Sequence, residues 1–454
     1  MTISRPRSAD CLVRAADSTL RPVSRTAGDD LRLTHSSVGR TLRHVATTRR
    51  IFTVATVAVL ALCLMLPAGA VVPAWTTLIQ GVGEGTDRGV PFGIVARGDA
   101  TFVLIGTNSL TDGAACRVVR LDATGVVVWS RLVASGPYLD CRGGIAADES
   151  GIYVSFNAIG AVDGLPDGQG YDTYLRKLRF DASVIWTRSF SSGDDEISQS
   201  IAAAAGHVVI GGYRFFPSEP PATSVMGAFV RSYDVDGSVQ WTRFPYPDLD
   251  IEDVTAVAID SSGTYAAIGV PYGGGTPTFH RFGPDGSPGW ITKTDLGFDN
   301  AEVTGMASSP GRVVAVGYTD GAFPGNQSAG GNDAFVATLD PATGAWGWVR
   351  QFGSAGEDIG TGLDLGPAGI YVSGYTNGSL PRFENRGRDD AFVRSYTTSG
   401  HRRWTRQFGT RRSDNARDLA ADAEGVTSVG TTDGNLGSEP VDDLAVFLRR
   451  FVPA

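Results

Sequence analysis

The stretch from Asp333 to Gly374, DAFVATLDPATGAWGWVRQFGSAGEDIGTGLDLGPAGIYVSG, occurs a second time from Asp390 to Gly430, as DAFVRSYTTSGHRRWTRQFGTRRSDNARDLAADAEGVTSVG. Weaker copies can be traced back to residue 75. Self-similarity at a fixed period is the sequence signature of a repeat architecture. The length of such a chain follows from its copy number, so 454 residues do not require several domains.

Each copy contains four short segments with the composition of β-strands. The second segment is rich in β-branched and aromatic residues, as in Val313–Thr319, and a long loop leads to the third, as in Ala334–Leu339. Tight turns with Asp first and Gly last separate the segments, as in Asp234 to Gly237. The fourth segment carries a Trp, which recurs at positions 75, 129, 186, 241, 290, 348 and 404. Four-stranded repeats of this length predict an all-β chain, a propeller of antiparallel blades.

The number of strands predicts how the ring closes. The first three strands of a copy occur seven times, beginning near residues 92, 143, 200, 254, 303, 361 and 417. The last copy ends at Phe451 without its fourth strand, whereas Ala74–Ile79 is a fourth strand without companions. We therefore predict a seven-bladed β-propeller in which this N-terminal strand completes the C-terminal blade beside residues 444–450. Such closure removes two free sheet edges.

Charge argues against one class of partner. The chain has a net charge of −9, and its first 74 residues are rich in Arg, so residues 75–454 are more acidic than the whole. Binding to a phosphate backbone needs clustered Lys and Arg. The sequence therefore predicts no nucleic-acid partner.

The N-terminal region has the organisation of an export signal. Residues 1–50 are polar, Arg-rich and without periodicity, which predicts disorder. Residues 51–74 are uncharged and apolar, and small residues precede both Ala70 and Ala74, as signal peptidase requires. Arg49 and Arg50 before an apolar residue and Phe are typical of a twin-arginine signal, although the general secretory route also fits. The alternative is an uncleaved membrane anchor. Both alternatives predict a secreted or cell-surface protein.

The order D-A-F-V, W-x-R-x-F-G, an acidic turn and G-I-Y-V-S-G-Y-T resembles the bacterial seven-bladed β-propeller repeat (SBBP-type) family. The resemblance covers residues 75–454, and in the fourth interval Trp290 is followed by Lys293 where Arg is usual. It implies an exported or surface protein whose repeated residues are structural, with no common activity. The segment from Leu121 to Trp129 also resembles the docking motif of pyrroloquinoline-quinone propellers, which typically have eight blades.

Trp, Arg and Phe at alternate positions share one strand face, as in Trp348, Arg350 and Phe352. An aromatic ladder for carbohydrate is one interpretation of this pattern. The other is packing between blades with Arg stacked on Trp. Recurrence in most copies favours packing, and we assign this role to Trp75, Trp129, Trp186, Trp241, Trp290, Trp348 and Trp404.

Acidic residues recur where one copy joins the next. They are Glu84, Asp87, Asp194, Asp195, Glu252, Asp253, Asp299, Glu302, Glu357, Asp358 and Asp414. Carboxylates of this kind are ligands for Ca²⁺, and Asp195, Asp253, Asp358 and Asp414 are the candidates. The alternative is that the Asp side chains cap backbone N–H groups in turns. None of these loops has the spacing of a calcium-binding EF-hand loop.

No pattern of catalytic residues emerges from residues 75–454. His207, His280 and His401 lie in different copies and none is near a Cys. The sequence has no G-x-S-x-G nucleophile motif, and it has no G-x-G-x-x-G dinucleotide motif that follows a strand and precedes a helix. The sequence predicts no catalytic residue and no cofactor.

Cys116 and Cys141 are the cysteines of residues 75–454. Cys116 opens the third strand of the first copy, and Cys141 falls in the loop after its fourth strand. Antiparallel pairing brings both to the same end of the blade, so an exported chain is expected to form a disulfide between them. The alternative is two free thiols.

The longest insertions all join second to third strands, which places them on one face of the propeller. Loops on a rigid scaffold often carry recognition residues, so we expect a monomer that binds a protein or glycan partner through this face. An exported lyase, lactonase or quinoprotein with its site at the channel mouth is the rival, and a structural envelope protein is the third possibility. Clustering of Arg214, Tyr272 and Asp320 around one central pocket would favour the enzyme.

Overall fold

The structure is a computed structural model that describes residues 54–58, 71–80, 89–109, 113–165, 170–216, 225–245, 252–269, 275–294, 300–437, 440–441 and 443–453. Regular structure in these residues is entirely β. They include no helix long and apolar enough to span a membrane. Arg49, Arg50, Ala70 and Tyr272 lie outside the described residues.

Six blades are each formed by four consecutive strands, numbered β3 to β26. Blade 1 is Gly89–Arg97, Ala100–Ser109, Gly113–Leu121 and Val127–Gly136; blade 2 is Leu139–Asp148, Gly151–Ile159, Tyr171–Leu178 and Val184–Phe190. Blade 3 is Glu196–Ala204, His207–Phe216, Val225–Asp234 and Val239–Arg243; blade 4 is Asp253–Asp260, Gly263–Gly269, Thr278–Phe282 and Pro288–Lys293. Blade 5 is Ala301–Ser309, Arg312–Thr319, Asp333–Leu339 and Trp346–Phe352; blade 6 is Asp358–Gly366, Gly369–Thr376, Asp390–Tyr396 and Arg402–Phe408.

Blade 7 joins the two ends of the chain, which confirms the predicted closure. It consists of β27 (Asp414–Ala421), β28 (Val426–Thr432), β29 (Ala445–Pro453) and the N-terminal β2 (Val71–Ile79). Strand β2 pairs antiparallel with β29 and begins at Val71, three residues before the predicted start at Ala74. Strand β1 (Val54–Ala58) pairs with the outer side of β2 as a fifth strand, within the segment predicted to be the export signal.

The first strand of each blade is the inner strand, and the inner strands of neighbouring blades are in contact around the whole ring, including β27 with β3. The core lies between the blades. All residues of the middle strands β21 (Asp333–Leu339) and β25 (Asp390–Tyr396) are buried, because both of their faces are covered by adjacent blades. A short continuous apolar run such as Ala334–Val336 is the sequence pattern of such a strand.

A Trp on the outer strand of one blade holds a turn of the next blade. The indole N–H of Trp348 donates to Thr398 O (3.2 Å), and Arg350 Nε donates to Gly400 O (2.9 Å) while its guanidinium lies 5.4 Å from the Trp348 ring centroid. We call this contact the Trp–turn clamp. The corresponding indole bonds are Trp75 to Ala123, Trp186 to Val235, Trp241 to Pro284, and Trp290 to Pro341.

The clamp requires glycine in the turn. Gly400 has φ +80°, and a Cβ on it would lie 2.6 Å from Trp348 Cδ2. Gly344 meets Trp290 in the same way, with φ +72°. Trp404 meets no such turn, because the third and fourth strands of blade 7 come from opposite ends of the chain. Its ring lies 6.1 Å from that of Phe451 instead.

The predicted cysteine pair is bonded, with Cα atoms 5.8 Å apart. Cys116 lies in β5 of blade 1 as expected. The placement of Cys141 in a loop was wrong: it lies in β7, the inner strand of blade 2, because only Pro137 and Tyr138 separate that strand from β6. The disulfide therefore joins two blades directly.

A glutamine on the fourth strand holds the long loop between the second and third strands in blades 5 and 6. Gln351 Nε2 donates to Gly321 O (2.7 Å) and Asp333 Oδ2 (2.8 Å), and its Oε1 accepts from the Phe323 N–H (2.9 Å). Gln407 makes the same three bonds in blade 6, to Gly378, Asp390 and Leu380. The first Asp of the D-A-F-V motif and the Gln after W-x-R are therefore loop supports.

Gly400→Ala should destabilise the protein more than Gly311→Ala does. Both glycines have positive φ, so each substitution costs about 1–2 kcal/mol of backbone strain. A Cβ at Gly311 meets nothing within 4 Å, whereas one at Gly400 adds the clash with Trp348, about 1–3 kcal/mol more. Urea unfolding of the two variants measures the difference. Equal losses would show that the clamp does not constrain the turn.

Candidate ligand-binding site

Every inner strand breaks its pairing register at one place near its start. The breaks fall between Pro91 and Gly93, Asp140 and Gly144, Ser198 and Ser200, Val254 and Ala256, Val303 and Gly305, Gly360 and Gly362, and Ala416 and Asp418. A β-bulge of this kind changes the direction of a side chain. All seven breaks border a central cavity of about 730 Å³, which is lined at these positions by Phe92, Arg142, Gln199, Thr255, Thr304, Thr361 and Arg417.

The bulge residues differ around the ring. Thr304 and Thr361 have a structural role, because their hydroxyls donate to the next blade at Gly360 O (2.7 Å) and Ala416 O (3.0 Å). Arg142 and Arg417 lie on either side of blade 1, and Gln199 occupies blade 3. The central channel is therefore polar and asymmetric, although the repeat that builds it is regular.

A second cavity, of about 1030 Å³, continues the channel toward the loop-rich face. We call it the mouth cavity. It shares Arg142, Gln199, Thr255 and Thr304 with the channel. Blades 3 to 6 also supply the following residues to its wall: Tyr213, Phe215, Met226, Asp253, Gly269, Pro277, Glu302, Tyr318, Asp320 and Glu357. It combines carboxylates with aromatic rings in one concave space.

The copies of the repeat can be compared position by position at this wall. Asp253, Asp358 and Asp414 each open an inner strand, and each pairs with the last residue of the second strand. In blades 6 and 7 that partner is Thr376 or Thr432, whose hydroxyl opposes the rise in the carboxyl pKa caused by burial. In blade 4 the partner is Gly269, which has no hydroxyl.

Asp253 therefore lacks the neighbouring hydroxyl that Asp358 and Asp414 have, and it shares with both of them an Oδ1 that is buried without a hydrogen-bond partner. Its Oδ2 accepts from Gln199 Nε2, the bulge residue of blade 3. Its Oδ1 is buried and has no hydrogen-bond partner, and the residue is 2% exposed. A buried polar atom without a partner in a native fold calls for an explanation, and a bound ligand is one.

Burial and, to a smaller extent, the negative charge of Glu302 raise the pKa of Asp253 to about 7, and the Gln199 hydrogen bond opposes the rise. Glu302 itself is a departure from the repeat, because Ile359 occupies its position in blade 6. The Tyr318 hydroxyl donates to Glu302 Oε2, and burial raises the pKa of that phenol. Blades 4 and 5 thus place two carboxyl groups in one weakly hydrated wall.

The other candidate cation ligands are distributed around the ring. Asp195 precedes blade 3 and accepts from the Tyr171 N–H (2.7 Å). Asp358 accepts from the Ser354 N–H (2.6 Å), and Asp414 accepts from the Thr410 N–H (2.6 Å). Within the part of the chain that the structure describes, no group of three or more His, Cys, Asp or Glu side chains is placed to hold a metal ion. Calcium binding stays a prediction.

Of the three residues whose clustering at a central pocket would favour an enzyme, Asp320 lines the mouth cavity. Arg214 does not line it; its guanidinium lies 4.0 Å from the ring centroid of Phe244. The three histidines lie apart, and burial lowers the pKa of His280 to about 4. Gln199 and Thr255 were not identified from the sequence. A comparison of equivalent positions in the repeats of the sequence could have identified the residues that differ at the mouth cavity.

No protein-family model matches the chain, and no curated protein matches it. Among solved structures it is similar to the WD40 domain of Neurospora crassa Pan2 (TM-score 0.46, 10% identity, 80% of this chain and 89% of that one). It is also similar to a europium-containing methanol dehydrogenase (0.40, 10%, 84% and 93%) and to a subtype N10 neuraminidase-like protein (0.39, 9%, 79% and 93%). We transfer no ligand or activity from these proteins.

Asp253→Asn should change how stability depends on pH. The folded-state pKa is about 7 against 3.8 ordinarily, so the folded protein holds a proton that the unfolded chain releases. Protonation of Asp253 therefore contributes fully to the free energy of unfolding when the pH is below the ordinary pKa of 3.8. This contribution is lost, at about 1.4 kcal/mol per pH unit, as the pH rises toward the folded-state pKa of about 7.

Because Asn does not titrate, the melting temperature of the variant relative to wild type should rise between about pH 4 and about pH 7 and level off above that range. The exposed Asp236 provides the control, since Asp236→Asn should show no such trend. A constant difference for Asp253→Asn across this range would contradict the assignment.

Proposed function

We propose that this chain is an exported β-propeller that binds a ligand in the mouth cavity around blade 4. The observation that carries the proposal is Asp253: a 2% exposed carboxylate at the cavity wall whose Oδ1 lacks a partner. Ligand sites are typically concave, with aromatic walls and a few placed polar groups. Tyr213, Phe215 and Glu302 supply these features beside Asp253.

We further propose membership of the bacterial seven-bladed repeat family on the strength of the D-A-F-V and W-x-R-x-F-G repeat. The repeated residues support this proposal through their roles in the fold, such as Gln351 holding a loop and Trp348 holding a turn. That family is defined by its architecture, so membership would not name the ligand.

Export is proposed from the sequence of residues 49–74 and is supported by the disulfide, since disulfides persist in oxidising compartments. Cleavage after Ala70 would leave all of β2, which begins at Val71 opposite Pro453. Cleavage after Ala74 would remove the first four residues of this strand. We therefore favour Val71 as the first residue of the mature protein.

An exported enzyme is the second candidate, because a carboxyl group with a pKa near neutrality suits general acid–base catalysis. Asp253 beside Glu302 would be the reacting pair. Turnover of any substrate that is abolished by Asp253→Asn would favour this candidate. Retention of a ligand that is chemically unchanged would favour a binding protein.

Native mass spectrometry of protein purified from its own secretion tests the proposal. We expect the mature chain to begin at Val71 and to carry a bound small molecule that Asp253→Asn loses and the control Asp236→Asn retains. Equal retention of the ligand by both variants would show that the ligand does not bind in the mouth cavity. Recovery of the full-length chain only from inside the cell would refute export.

A further inference from the structure

The mouth cavity has an excess of negative charge. Among the described residues on its wall, the carboxylates are Asp253, Glu302, Asp320 and Glu357, and Arg142 is the one cationic side chain. Arg142 is itself paired, with its Nε 3.0 Å from Asp140 Oδ2. Charges with the same sign in a concave site strengthen the local potential and attract a counter-ion. An anionic ligand is therefore disfavoured.

Four hydrogen-bond donors of the wall are engaged with its carboxylates. Gln199 and Tyr318 donate to Asp253 Oδ2 and Glu302 Oε2. Asn300 Nδ2 donates to Asp320 Oδ2 (2.8 Å), and Asn332 Nδ2 donates to Glu357 Oε2 (2.7 Å). Each carboxylate thus has one oxygen that accepts from the protein. What the wall offers a ligand is mainly acceptors, so the ligand must supply donors.

Apolar side chains border the same acceptors. The rings of Tyr213 and Phe215 meet edge to face with centroids 5.5 Å apart, and Met226 and Pro277 also line the cavity. Aromatic faces attract cations, and apolar walls accommodate methylene groups. A ligand with a cationic head and an aliphatic body matches both parts of this surface.

We propose that the mouth cavity binds a primary alkylammonium group, with Asp253 and Glu302 as its charge partners. This inference rests on the proposed function and adds the chemical class of the ligand. An ammonium group carries three donors and no acceptor, which complements a wall of free carboxylate oxygens. Such a group would donate the hydrogen bond that the buried Oδ1 of Asp253 lacks.

A divalent metal ion fits the same wall less well. Ca²⁺ takes six to eight oxygen ligands, whereas one oxygen of each carboxylate here already accepts a hydrogen bond. The described residues also contain no group of three acidic or imidazole side chains that converge on one point. The geometry points to an organic cation.

Free polyamines and lysine side chains share this chemistry, and isothermal titration calorimetry with the mature protein distinguishes them. The probes are spermidine, the peptide acetyl-Gly-Lys-Gly-amide, and the same peptide acetylated on the lysine Nζ. Spermidine binding alone identifies a polyamine site, and peptide binding identifies a lysine site. In either case the acetylated peptide should not bind, and added NaCl should weaken binding.

Variants connect the binding to the wall. Asp253→Asn and Glu302→Gln should each weaken binding about ten- to hundredfold, because each removes a charge-assisted hydrogen bond. Glu149→Gln removes the same charge from a side chain that is 99% exposed on a distant turn, and should bind as wild type does. Melting temperatures of all three variants at the titration pH verify that they are folded.

The outcomes separate this inference from the proposed function. Equal binding of the acetylated peptide, or calorimetric binding of CaCl₂ with none of the amines, would overturn the ammonium assignment. If mass spectrometry then still finds a ligand that Asp253→Asn loses, the cavity is the site and only the ligand class is wrong. If no probe binds and no ligand is retained, both proposals fail.

Discussion

The Trp–turn clamp is the contact on which the rest of the propeller depends. One indole N–H and one Arg or Thr side chain on the outer strand of a blade hold the glycine turn of the next, as Trp348 and Arg350 hold Gly400. The contact is found at five junctions between blades, where it sets the position of one blade relative to the next. Blade 7 has no such turn, and pairing of β2 with β29 takes its place.

A regular scaffold makes departures from the repeat informative. Thr376 and Thr432 stand beside the Asp that opens the inner strand of their own blade, but Gly269 provides no hydroxyl beside Asp253. Glu302 stands where blade 6 has Ile359, and both changes meet at the mouth cavity. Positions that only maintain the fold have no reason to differ between blades. Chemistry is therefore to be sought in the differences, and those at the mouth cavity include Gly269 in blade 4 and Glu302 in blade 5.

The sequence was sufficient to predict the seven blades, because the alternation of apolar and polar residues and the turn residues are local features. It was also sufficient to predict the closure, because a lone fourth strand at residue 75 needs a partner. It was insufficient for the bulges, which arise from curvature of the inner strands and direct Gln199 and Thr255 into the channel. It also misplaced Cys141, and it gave no sign that Arg214 stacks on Phe244, because spacing along the chain does not encode a contact between these two segments.

Gly269→Thr tests most directly whether loss of the repeat hydroxyl in blade 4 creates the site. A Cβ at Gly269 meets only Thr255 Cγ2, at 3.8 Å, so the substitution fits and restores the residue found in blades 6 and 7. Titration of spermidine into this variant should show an affinity about tenfold or more below that of wild type, with the melting temperature maintained, because the new hydroxyl competes with the ligand for the Asp253 carboxyl. Equal affinities in the two proteins would contradict the account.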